Sequence, residues 1–168
     1  GGITVLDGQA VVLDLPAGRL GVAGTKGFGG GFAGSNVSAF GEPEMKAFVR
    51  HGEAVAARFA LALADLDERT CDARVALLHY SPTVDTIVGE RPEIHAFLGS
   101  QLLGEAIDGA RVDLALHGHA HAGTEHGCTS GGTPVRNVAM PVIGCAYRVY
   151  ELGQRSGRRN DRLDATAP

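Results

Sequence analysis

Val112-Asp113-Leu114-Ala115-Leu116-His117-Gly118-His119-Ala120-His121 is the stretch on which the fold turns. Residues 112–116 are almost all apolar, which predicts a strand buried on both faces. Histidines follow at alternate positions, 117, 119 and 121. Imidazole is neutral near pH 7 and offers a nitrogen lone pair to zinc, iron, manganese or nickel. In an extended H-x-H step alternate side chains point to one side, so His119 and His121 could grip one metal or be split across two. The same pattern occurs upstream, where Arg74-Val75-Ala76-Leu77-Leu78 is a nearly continuous apolar run ending at His79. In sheets with βαβ crossovers, ligands bind outside the carboxyl ends of the strands. If the two strands are neighbours, both histidine groups face one crevice.

Outward from this pair, the chain alternates strands with helices. Residues 9–15 and 19–23 are apolar and β-branched around a P-A-G turn, which predicts a hairpin. Residues 24–35, G-T-K-G-F-G-G-G-F-A-G-S, hold too much glycine for a regular element and predict a loop. Glu42-Pro43-Glu44 opens a helix, and apolar residues recur at helical spacing as far as Asp67. A second helix is predicted over 92–107, stopped by Asp108-Gly109. Residues 134–139 and 146–152 predict two further strands. The expectation is an α/β layered architecture with a mixed sheet in one domain over 1–152, followed by a disordered tail over 153–168 rich in arginine, glycine and aspartate.

Composition narrows the function classes. The chain has 168 residues, 44% apolar and 20% charged, with net charge −4. That balance gives no reason to expect nucleic acid or an anionic membrane as partner. No run reaches the roughly 18 apolar residues of a membrane span, and no signal peptide is visible. Three scattered cysteines form no CxxC pair, so a reducing, cytoplasmic home is expected.

His51, His95 and His126 stand alone in helix or loop context and read as ordinary surface or backbone-bonded rings. In the glycine-rich loop, Lys26, Gly29 and Gly30 are candidates for contact with phosphate, because glycine lets backbone N–H groups meet an anion. A flexible surface connection is an equal alternative for this loop, and no P-loop pattern is present. Tyr80 and Ser81 could orient a substrate or serve packing and a turn. Thr124, Glu125 and Asn137 are edge candidates with structural roles as the alternative.

Gly118-His119-Ala120-His121 matches the G-H-x-H motif of calcineurin-like metallophosphoesterases, and the strand ending in His79 suits the ligand strand that this family places upstream. L-L-H-Y-S-P, L-H-G-H-A-H and G-T-K-G-F-G-G-G-F also resemble a bacterial branch of these enzymes. The resemblance covers most of residues 3–152. It implies the C-terminal portion of an α-β-β-α sandwich, with His79 and His119 on one metal and His121 on the other. It implies two divalent ions, manganese, iron or zinc, for the family's complete site, and one or none for this chain alone. It further implies hydrolysis of a phosphomonoester or phosphodiester, a nucleotide among the candidates, by a metal-bridging hydroxide. The family's D-x-H, G-D-x-x-D and G-N-H-[DE] motifs, and its proton-donating histidine, have no counterpart in the chain, and are expected before Gly1. Two alternatives stand beside this reading: a non-catalytic remnant or partner-binding module, and an unrelated metal protein with an H-x-H step.

Overall fold

Pro16 and Ala17 turn the chain between strands β1 (Gln9–Leu15) and β2 (Gly18–Thr25), which pair antiparallel from Gln9↔Gly24 to Leu15↔Gly18. The hairpin expected at this place is present. The structure, a computed structural model, describes residues 2–152; the expected tail at 153–168 lies outside them.

Helix α1 (Pro43–Asp67) begins where proline needs no hydrogen-bond partner for its missing N–H and where Glu44 meets the positive end of the helix dipole. Its buried side includes Val55, Phe59, Leu63 and Leu66, spaced so that they share one face. Phe59 is fully buried, and burying a side chain of this kind contributes roughly 1.5–3 kcal/mol.

Strand β3 (Ala73–Leu78) then runs parallel to β2, with Val22 opposite Val75 and Thr25 opposite Leu78. After two short 3-10 turns come α2 (His95–Leu98) and α3 (Gln101–Asp108). Strand β4 (Leu114–His117) lies parallel to β3, and Leu77 faces Leu116. The chain continues through β5 (His126–Cys128), β6 (Pro134–Asn137) and the short helix α4 (Met140–Ile143). The six strands form one mixed sheet in the order β1-β2-β3-β4-β6-β5. The fold is therefore α/β on a six-stranded mixed sheet. Alternate strand residues Ala23, Ala76, Leu78, Ala115 and Val135 meet Phe59, Leu63 and Leu66 of α1 and Leu103 and Ile107 of α3 in the main core.

Three expectations need correction, and one strand is additional. The helix expected over 92–107 is broken at Gly99 and Ser100. A Cβ on Gly99 would stand 2.1 Å from the Ser81 carbonyl oxygen, so the chain approaches residue 81 too closely for a continuous helix. Ser100 then caps α3 by accepting the Leu102 N–H at 3.2 Å. The strand expected over 146–152 does not form. The Tyr150 hydroxyl and Arg148 guanidinium instead bind the Glu125 carboxylate, at 2.9 and 3.1 Å. The strand expected over 112–116 is shifted to Leu114–His117, which brings His117 inside it. Strand β5 was not foreseen, because three residues are too few to set a periodicity.

Candidate functional site

Strands β2, β3 and β4 are consecutive and parallel, so their carboxyl ends share one edge of the sheet. Lys26, His79 and His119 lie at or just past those ends. The Lys26 carbonyl accepts from the N–H groups of His79 and Tyr80, at 3.2 and 3.1 Å, which ties the first two ends together. The hairpin returns Asp7 to the same edge, where its carboxylate accepts from the Lys26 N–H at 3.0 Å and the Thr25 hydroxyl at 3.3 Å. Nothing in the spacing of Asp7 announces this, since the contact depends on strand pairing.

The rings of His79 and His119 have centroids 4.7 Å apart at an interplanar angle of 55°. Tyr80 packs against both, with ring centroids 4.5 Å from His119 and 5.6 Å from His79. His119 Nε2 donates to the Phe97 carbonyl at 3.2 Å. A carbonyl can only accept, so Nε2 carries a proton, and in the neutral tautomer the lone pair is on Nδ1. Partial burial, followed by the neighbouring His119, His121 and Lys26, lowers the pKa of His79. The neutral ring is thereby favoured.

The backbone past β4 differs from the expected extended step. His119 has φ 68°, the one non-glycine residue with positive φ among the described residues. Such a conformation stores strain for any residue with a Cβ and occurs often at functional sites. His119 and His121 therefore do not share a side through simple alternation. His121 is exposed, yet close enough to act electrostatically on His79.

His117 belongs to the interior. It is fully buried, and its Nδ1 donates to the Gly118 carbonyl at 2.7 Å. Its Nε2 accepts from the Thr86 hydroxyl at 2.7 Å. Ser81, also fully buried, donates to the Thr83 carbonyl beside this pair. Asn137 is buried too, donating to the Ala120 carbonyl at 2.7 Å and accepting from the Ala139 N–H at 3.1 Å. Asn137 thus braces the turn that carries His119, and Ser81 braces the buried Thr86–His117 pair.

Gly29 and Gly30 are placed elsewhere. The Gly30 N–H donates to the Ala96 carbonyl at 2.8 Å, so it is already engaged. Both glycines line a small cavity of about 130 Å³ together with Glu53, Asn36 and Gln101, and none of the histidines reaches it. Of the loop candidates, Lys26 alone joins the histidines. Phe28 lies near them as well, through Tyr80.

Two imidazoles side by side suit a divalent transition-metal ion, which needs the nitrogen lone pair. Among the described residues, no three histidine, cysteine, aspartate or glutamate side chains come together as a metal-binding group. The donor set fits partial ligation of one ion and does not complete two coordination spheres. No helix among the described residues is long and apolar enough to cross a membrane. Comparison with known proteins gives no matching family model, no matching curated protein and no matching solved structure.

Proposed function

We propose that this chain is the histidine-bearing part of a metal-dependent hydrolase of phosphate esters, of the calcineurin-like kind. The observation that carries the reading is the convergence of His79 and His119, 4.7 Å between centroids, at the carboxyl ends of adjacent parallel strands. His79 and His119 would hold one ion of manganese, iron or zinc, with His121 available at the rim. Such an ion, when bound, supplies Lewis acidity toward a phosphoryl oxygen. The Phe97 carbonyl keeps the proton of His119 on Nε2, which holds Nδ1 ready to ligate. Lys26 supplies positive charge for the ester's phosphate. The substrate class is a phosphomonoester or phosphodiester, and the compartment is the cytoplasm.

The α-β-β-α sandwich belongs to the same proposal. Leu77 alternates with the core residues Ala76 and Leu78, so it points to the opposite face of a central strand, where it is 44% exposed. Sheets with central parallel strands are normally covered on both faces, and a second layer over Leu77 would be the sandwich's other sheet.

A second reading, a non-catalytic remnant or partner-binding module, is favoured by the absence of a complete ligand group among the described residues. Titration of manganese or zinc into chelator-stripped protein separates the two, followed by hydrolysis of bis(4-nitrophenyl) phosphate. One ion per chain is expected, with affinity lowered about tenfold or more by His79→Ala or His119→Ala and unchanged by His95→Ala. Metal-dependent hydrolysis supports the enzyme, and binding without hydrolysis supports the second reading. Unchanged metal affinity in the His79→Ala/His119→Ala double variant would sink the site assignment.

A further inference from the structure

We propose that the aromatic rings beside the histidine pair form a stacking shelf, which takes a flat aromatic group attached to the phosphate. The rings form a connected series whose ends are joined by a backbone carbonyl. Tyr80 neighbours His119 at 4.5 Å and Phe28 at 6.1 Å between centroids. Phe28 neighbours Phe48 at 4.9 Å and His51 at 4.5 Å. Phe48 neighbours Phe97 at 6.2 Å, and the Phe97 carbonyl returns to His119.

The glycine-rich loop is built to place Phe28 in this series. Gly27 has φ +78°, and a Cβ there would sit 3.0 Å from the Tyr80 Cβ. A Cβ on Gly29 would sit 2.5 Å from the Ala96 carbonyl oxygen. Glycine on both sides thus lets the backbone press against its neighbours while Phe28 projects between Tyr80 and Phe48. Phe32 in the same loop makes the contrast, since it is 6% exposed and packed with Ile87, Leu98 and Ala120.

The series is also open to solvent. Phe97 is 58% exposed, His51 is exposed and Phe28 is half-buried. Single exposed aromatics are ordinary, but a connected group of them beside charged and ligating side chains marks a place where a ring is bound. Aromatic rings stack on π faces with little dependence on the ring's substituents. Lys26, whose charge acts on His79, supplies a cation near the histidine pair for the phosphate of such a ligand. The shared chemistry is an aromatic ring carrying a phosphate, whether an aryl ester or a nucleotide.

The phosphate end of this inference rests on the phosphate-ester reading, whereas the shelf rests on ring geometry alone. The test is an NMR titration of the 168-residue chain with methyl phosphate, phenyl phosphate, AMP and adenosine. One ring-bearing phosphate or both should bind about tenfold more tightly than methyl phosphate, the gain of one stacked ring. The gain should vanish in Phe97→Ala, whose ring is too exposed to hold the fold, and in Phe28→Leu, which keeps apolar bulk without a π face. Methyl phosphate should bind both variants as it binds the original chain. A gain confined to phenyl phosphate identifies an aryl ester, and a gain for AMP identifies a nucleotide. Ring-bearing ligands, adenosine included, that bind no better than methyl phosphate overturn the shelf, and so does a gain that survives both substitutions. Adenosine binding without methyl phosphate binding keeps the shelf and removes the phosphate-ester reading. Methyl phosphate binding without any ring gain does the reverse.

Discussion

Replacing His117 with glutamine should flatten the acid dependence of folding. His117 is 0% exposed, donates to the Gly118 carbonyl and accepts from the Thr86 hydroxyl. Burial is the main cause that brings its pKa down to about 4 from the ordinary 6.5. In the unfolded chain the ring takes up a proton near pH 6.5, while in the folded chain it resists until about pH 4. The folded state is thus fully favoured by this group above pH 6.5, and the advantage drains away as pH falls toward 4. At about 1.4 kcal/mol per pH unit the whole window corresponds to about 3 kcal/mol. Urea unfolding followed by circular dichroism at pH 7, 6, 5 and 4.5 measures it for the original chain and for His117→Gln. The variant should be less stable at pH 7, and the gap between the two should shrink by about 2–3 kcal/mol by pH 4.5. Parallel stability curves across the range would refute the reasoning, because His117 would then carry no buried neutral state. The acid form has a ready mechanism for its cost. A proton on Nε2 would face the Thr86 hydroxyl, which would have to surrender its hydrogen bond and turn toward the Thr83 carbonyl at 3.5 Å.

The left-handed backbone of His119 should be visible as a difference between two truncations. His119→Gly should be more stable than His119→Ala by about 1 kcal/mol in chemical denaturation, since alanine retains the Cβ penalty at φ 68°. Equal stabilities would mean that residue 119 relaxes out of this conformation. Gly99→Ala would bring a Cβ to 2.1 Å from the Ser81 carbonyl oxygen, a backbone atom with little freedom to retreat. Its melting curve should report a loss of about 2 kcal/mol or more, and a variant as stable as the original chain would contradict the close approach of these two segments.

The elements that could be foreseen are those whose stabilisation is local. Helix α1 carries its proline, its acidic first turn and its apolar spacing in sequence, and it forms over Pro43–Asp67. Strands β3 and β4 are continuous apolar runs, and their adjacency, expected only conditionally, puts His79 and His119 together. What could not be read depends on distant backbone. Apolar residues continue in helical register on both sides of Gly99, and the collision that breaks the helix comes from Ser81. Residues 146–152 look like a strand, but β6 already lies between β4 and β5, and Glu125 captures Arg148 and Tyr150. His117 shares its spacing with His119 and His121. One further residue of β4 sends it inward, and nothing in the motif distinguishes it from the other two. The bond from the Gly30 N–H to the Ala96 carbonyl likewise depends on distant backbone.

Surface loops usually absorb insertions, because little depends on their length. The segment from Thr25 to Ser35 is the opposite case despite its glycines. Gly30 donates to Ala96, Gly31 donates to Gly99 and accepts from Gln101, and Lys26 accepts from His79 and Tyr80. Those bonds fix the number of residues between them as strictly as a ladder fixes the register of two strands. One extra residue between Lys26 and Phe28 would shift the Gly30 and Gly31 donors off their acceptors and carry Phe28 away from its neighbours. Glycine here gives the chain thinness rather than slack, and the length of this loop is as much a part of the fold as the length of a strand.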